Sequence, residues 1–168
     1  MKNGLVIADS GPIFSLALIE RLDILIALFD DIKIPRAVWD EITFDKTKPD
    51  YQKIFNFFKD KTCQISGLNE LTFVMDFGES ESLILYKELK ADFLLIDDKK
   101  ARKIAENLGI NCIGLIGILS IAKDKGLIGN LKPIFETFLK NNRYYSIDLL
   151  NFILVTKGEE ILILNQEH

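Results

Sequence analysis

Histidine is almost absent: the 168 residues include one, His168, and it is the last. A Ser/His/Asp triad, a histidine general base and a histidine-ligated zinc ion all need imidazole, so the sequence argues against each. Cysteine is scarce as well. Cys63 and Cys112 lack CxxC spacing, and two thiols in a chain of this length do not make a disulfide scaffold. No apolar run reaches the roughly 20 residues that a membrane-spanning helix requires. Only Lys2 precedes a short apolar run that ends at Asp9, too brief for a signal peptide, so a cytoplasmic protein without a membrane partner is expected. Gly114-Leu115-Ile116-Gly117 lacks both the lysine of a P-loop and the third glycine of a dinucleotide fingerprint, and reads as strand-to-helix packing. Basic charge is not in excess either. A net charge of −4 argues against a nucleic-acid partner, unless the acids cluster where divalent cations offset them. If the chain does chemistry, carboxylates must carry it.

What is present suits a soluble globular fold. Apolar residues make up 48% and charged residues 27%, and the length fits one well-buried domain, expected over residues 1–158 with a tail at 159–168. Leu5-Val6-Ile7-Ala8 is a short, continuous apolar run, as in a strand covered on both faces, and it ends at Asp9-Ser10-Gly11-Pro12. Ser10 can cap a helix over about 12–20, with Pro12 in its first turn. Further helices are predicted over 22–29, 35–42, 51–61, 77–90, 99–108, 115–125, 131–140 and 147–156. Strands are predicted at 32–34, 63–66, 91–96 and 110–113, and Gly109 and Gly126 stop helices. Residues 159–168 could be a short strand or a helix end. There is no internal repeat, linker or low-complexity segment. Alternating strands and helices predict right-handed βαβ units and a parallel sheet.

In such sheets ligands gather beyond the carboxyl ends of the strands. Asp9 ends the first strand there, and Asp97-Asp98 end another. Glu41 shares a helix face with Val38 and Ile42, and Glu79 and Glu81 open the helix that leads to the Asp97 strand. Each has an ordinary reading: strand-end aspartates cap helices, and first-turn glutamates answer the helix dipole. Together they would repel unless cations lay between them. Mg²⁺ and Mn²⁺ prefer such oxygen ligands, and a pair of them about 4 Å apart can clamp an in-line phosphodiester displacement. Lys99, Lys100, Arg102 and Lys103 follow at once. They read as a solvated helix face whose position also suits a phosphate backbone. Phe55, Phe57 and Phe58 read as core rather than as a base-stacking platform.

Several stretches carry a family likeness: V-I-A-D-S, then I-P-R-A-V-W-D-E-I, F-G-E-S-E-S-L-I-L and L-L-I-D-D-K-K-A-R-K-I-A. N-L-G-I-N-C-I-G-L-I-G-I-L-S-I-A-K-D-K-G-L-I and R-Y-Y-S-I-D-L-L follow in the same order. In this the chain resembles a PIN domain, of a PIN-like group related to the VapC toxins of type II toxin–antitoxin systems. The resemblance covers nearly everything up to Gly158. It implies a three-layer α/β/α sandwich with a mainly parallel central sheet and an endoribonuclease dependent on Mg²⁺ or Mn²⁺. It also implies a homodimer held in check by a small cognate antitoxin. Asp9 and Glu41 match the first two family acids. The third is Glu79 or Glu81, with Glu79 favoured. The fourth is Asp97 by strand-end position or Asp98 by counting back from the next helix. Ser10 would contact a metal-bound water or a substrate phosphate. Family members often have aspartate at the third position, so glutamate there leaves open a second reading, a binding module with weak or no turnover. A phosphoacceptor receiver domain fits less well, because the paired acids follow a late strand.

Overall fold

The computed structural model describes residues 2–163. Two compact units divide the chain, residues 1–115 and 116–168.

The first unit is built on five strands: β1 Leu5–Ala8, β2 Asp31–Pro35, β3 Thr62–Cys63, β4 Phe93–Leu95 and β5 Cys112–Ile113. They form one sheet in the order β3-β2-β1-β4-β5, and every pairing is parallel. Val6, Ile7 and Ala8 are fully buried, which is why the central strand reads as unbroken apolar sequence. The helices are α1 Ser10–Leu18, α2 Asp23–Leu28, α3 Arg36–Ile42, α4 Tyr51–Phe58, α5 Phe77–Leu89 and α6 Lys99–Asn107, with a 3₁₀ turn at Glu70–Phe73. From β1 the chain steps outward through β2 to β3, then crosses back to β4 and β5. Right-handed crossovers therefore put α1 to α4 on one face and α5 and α6 on the other, giving the expected three-layer α/β/α fold. One apolar cluster bears this out: Ile7, Leu94 and Ile96 of the sheet pack with Leu83 and Leu85 of α5 and Ala101 and Ala105 of α6.

Most predicted elements lie within a few residues of the observed ones. The strand expected at 63–66 is cut to Thr62–Cys63 because Glu88 accepts the Ser66 and Gly67 N–H groups and draws the chain off the sheet. Ser10 does not cap α1. Asp9 holds the N-cap position and Ser10 is the first helical residue, because the strand ends directly in the helix with no residue to spare.

The second unit contains most of α7 Leu115–Asp124, with α8 Lys132–Lys140 and α9 Ile147–Thr156. Phe138 stacks obliquely on Tyr145, their ring centroids 5.4 Å apart. Glu159 accepts the Leu131 and Lys132 N–H groups at 2.8 and 2.9 Å, satisfying donors at the start of α8, and it also pairs with Lys123. Residues 159–163 form neither strand nor helix; the rest of the tail, His168 included, lies outside the described residues.

Gly4 fixes the start of β1. It has φ +70, its N–H donates to Asp30, and the neighbouring Leu5 N–H donates to Asp92 at 2.7 Å. A Cβ there would collide with the Asp92 carboxylate. Gly4→Ala is expected to lower the stability by about 1–2 kcal/mol, read from the urea midpoint.

Candidate active site

Where the strand order reverses, β1 and β4 lie side by side, and an aspartate follows each, Asp9 directly after β1 and Asp97 two residues past β4. Such a switch point is where an open α/β sheet leaves a crevice for ligands. Asp9 is 7% exposed, and its own N–H is held by the Leu95 carbonyl at 3.0 Å, so β4 fixes its position. Burial pushes its carboxyl from the ordinary 3.8 up to about 7; the Ser10 N–H opposes this, and the charges of Glu79, Glu41 and Asp97 add to it. The electrostatics thus name four carboxylates in one neighbourhood, all in the first unit.

Each reaches the rim differently. Asp97 follows β4, and its Oδ1 accepts the Leu115 N–H at 2.8 Å, at the first residue of α7. Gly114 allows this: a Cβ there would come within 3.3 Å of that oxygen and 3.2 Å of the Arg102 guanidinium. Glu79 opens α5, where it and Asp76 form a reciprocal capping box. Burial raises the Glu79 carboxyl, the Asp76 N–H opposes this, Asp98 and Asp76 raise it further, and Lys100 lowers it. Glu41 was expected on an inward face; it is exposed, because α3 turns Val38 and Ile42 into the core and leaves Glu41 at its edge. Its Oε2 still borders the rim. A Cβ on Gly78 would stand 3.3 Å from it and 3.9 Å from Asp9 Oδ1, so Gly78 keeps open the space between the two carboxylates.

The other two acids have structural duties. Asp98 caps α6, accepting the Ala101 N–H at 2.8 Å, although its charge is still felt by Glu79. Glu81 is buried and accepts the Ala37 N–H at 2.9 Å, fastening α5 to the first turn of α3. Ser10 is buried beside Asp9, to which it offers its N–H. Of the basic run, Lys99, Lys100 and Lys103 are exposed, whereas Arg102 pairs with Glu106 at 2.9 Å and reaches the Cys112 carbonyl. Sequence reasoning passed over Gly78, Asp76 and the link between Arg102 and β5, while Gly114, read as strand-to-helix packing, does join β5 to α7. Of these, the D-x-x-E capping pattern at Asp76–Glu79 was open to view.

An all-oxygen donor set with a buried, hard-to-ionise aspartate at its centre suits a hard divalent cation, whose charge would relieve the mutual repulsion. Among the described residues, no three Asp, Glu, Cys or His side chains stand close enough to enclose an ion. The carboxylates line a rim rather than a closed cage.

The fold and this rim define a doubly wound α/β protein with an acidic switch point. The chain belongs to the PIN-domain family, whose model matches residues 5–159. PIN domains are in general nucleases, so this is a fold of nuclease type. The comparisons with curated proteins and with solved structures gave no match. No helix among the described residues is long and apolar enough to cross a membrane.

Two outcomes are expected. The unfolded chain ionises Asp9 near 3.8 and the folded chain near 7, so in metal-free buffer the wild type loses stability as the pH rises between those values. Asp9→Asn cannot ionise. It should match the wild type below pH 4 and exceed it above pH 7 by a few kcal/mol (order of magnitude), as read from urea midpoints across that range. Glu81→Ala leaves a helix-start N–H without its acceptor and should cost about 2–3 kcal/mol by the same measurement, most of it restored in Glu81→Gln.

Proposed function

We propose that the protein is an Mg²⁺- or Mn²⁺-dependent endoribonuclease acting as the toxin of a type II toxin–antitoxin pair. The observation that carries the catalytic part is Asp9 at the switch point, its carboxyl weakened as an acid first by burial and then by the charges of Glu79, Glu41 and Asp97. The family assignment and the resemblance to VapC toxins support the biological role, together with a small cognate antitoxin and a homodimer as partners.

In this reading Asp9, Glu41, Glu79 and Asp97 hold the metal. Bound there, it would lower the pKa of a water and offset charge on the phosphate. Asp9 is placed by its N–H bond to Leu95, and Asp97 by the Leu115 N–H, so both keep fixed positions across the β1/β4 junction. Glu79 is steadied by the capping box and Glu41 by the helix that Glu81 ties down. Lys99, Lys100 and Lys103 sit on the first turns of α6, beside Asp97, where they would attract the phosphate backbone without reading its sequence. Ser10 lies at the first turn of α1, next to Asp9, within reach of a phosphate oxygen brought to that carboxylate.

The test is cleavage of labelled RNA with Mg²⁺ or Mn²⁺, with and without chelator. Wild-type protein should cut only with the metal, and Asp9→Asn should lower the rate by about a hundredfold or more. Equal cleavage by Asp9→Asn would remove the mechanism. Metal binding with no cleavage of any RNA would favour the reading as a binding module.

A further inference from the structure

Away from the acidic rim, the end of α1 and the start of α2 face α4 across a groove of about 290 Å³. Ala17, Glu20, Leu22, Asp23, Lys53 and Phe57 line it. α1 begins at Ser10, beside Asp9, and ends at Leu18, so roughly 14 Å of helix separates the groove from the rim. The floor is apolar, with Ala17 and Leu22 buried. Phe57, expected in the core with Phe55 and Phe58, is only partly buried, as is Phe55, and it forms a fixed wall of the groove. Its ring packs on Phe58 with the centroids 4.8 Å apart, and the Lys61 ammonium lies 4.8 Å from the Phe57 centroid. The charged residues are exposed. Asp23 is taken up by Arg21, at 2.8 and 2.9 Å, whereas Glu20 reaches across to pair with Lys53 of α4.

Glu20 breaks two local rules. It has φ +57, in the turn that closes α1, where the Glu20 and Arg21 N–H groups donate to the Ala17 and Leu16 carbonyls at 3.0 and 2.8 Å. Glycine is usual at that position, because a side chain there is strained. A carboxylate is also the wrong charge for the end of a helix, which is itself partly negative. Among the described residues, Lys90 and Asn142 are the other non-glycines with positive φ, and a cation and an asparagine both suit a helix end. Pairing with Lys53 does not offset the strain, since side chains 72% and 50% exposed gain little stability from an ion pair. The residue that helix chemistry does not explain is the one that sets a carboxylate beside an apolar groove.

An exposed ion pair can exchange its partners for those of a ligand. A ligand carboxylate would take Lys53 and a ligand ammonium Glu20, leaving no charge unpaired. The volume lies at the small end of ligand sites, too small for a nucleotide or a large cofactor. An apolar acid would leave Glu20 without a partner, and an apolar amine would leave Lys53 without one. We propose that this groove binds a free α-amino acid with an apolar side chain, of the size of leucine or phenylalanine. Glu20 holds its ammonium, Lys53 its carboxylate, and Ala17, Leu22 and Phe57 its side chain. The proposal stands apart from the ribonuclease reading, because no rim residue takes part in it.

The experiment is an NMR titration of ¹⁵N-labelled protein with L-leucine and L-phenylalanine. Both should saturate, shifting the amides of Ala17, Glu20, Leu22, Lys53 and Phe57 and leaving those of Asp9 and Asp97 in place. L-Alanine, phenethylamine and 3-phenylpropionate each lack one of the three features and should bind about tenfold more weakly or worse. Glu20→Gly should weaken binding by about tenfold while its thermal midpoint holds or rises, because glycine fits the backbone there. Lys53→Met should weaken binding to a similar degree. No shift at the groove amides up to the solubility of both amino acids would overturn the proposal, and so would wild-type affinity in both variants. Equal binding of the amine or the acid would overturn the assignment of an amino acid. A clear fall in the thermal midpoint of Glu20→Gly would show Glu20 serving stability, and with undiminished binding by Lys53→Met it would remove the site.

Discussion

One aspartate buried beside other carboxylates determines the arrangement at the end of β1. Asp9 cannot escape its neighbours, because its backbone is locked to Leu95 and its side chain is enclosed by the helices that start around it. A protein can tolerate such a cluster by protonating one member, by placing a cation among them, or by spending part of its stability on the repulsion. The weakened acidity of Asp9 and Glu79 describes the first solution, and the all-oxygen surroundings prepare the second. In the proposed reading, function and instability have the same source. The rest of the first unit can be understood as scaffolding that holds four repelling groups in place.

That scaffolding consists largely of hydrogen bonds to helix starts. Asp97 meets the beginning of α7, Asp98 caps α6, Glu79 and Asp76 close the beginning of α5, and Glu81 serves α3. Helix N-termini carry unsatisfied donors and partial positive charge, which partly compensates the acids gathered near them. A parallel sheet delivers several helix starts to the same rim, and so the architecture that gathers the acids also supplies their counter-dipoles.

This division explains what could be read from the sequence. Leu5–Ala8 announces itself as a central strand because both its faces are buried, and Asp9 follows from where that run stops. Strand-end position points to Asp97 and counting back from the next helix to Asp98, and the local rule that an N-cap side chain meets the third helical N–H accounts for Asp98 as a cap. Glu79 and Glu81 differ for a reason no local rule contains. Both sit near the start of α5, and only the approach of α3, brought by a distant part of the chain, decides which one turns toward Ala37. Glu41 failed in the opposite sense: its helical period placed it inward, but a seven-residue helix at a sheet edge has a wide boundary between buried and exposed.

The bond from Glu81 to Ala37 bears on how sequences of this kind can drift. Its acceptor is a side chain, but its donor is the main chain, and every residue except proline supplies that N–H. The contact that sets α3 against α5, and with it the separation of Glu41 from Glu79, places almost no demand on the chemical identity of position 37 beyond the space available. Tolerance is unevenly shared across the joint. One partner can vary among small residues, while the other is confined to side chains that can carry an oxygen to that point.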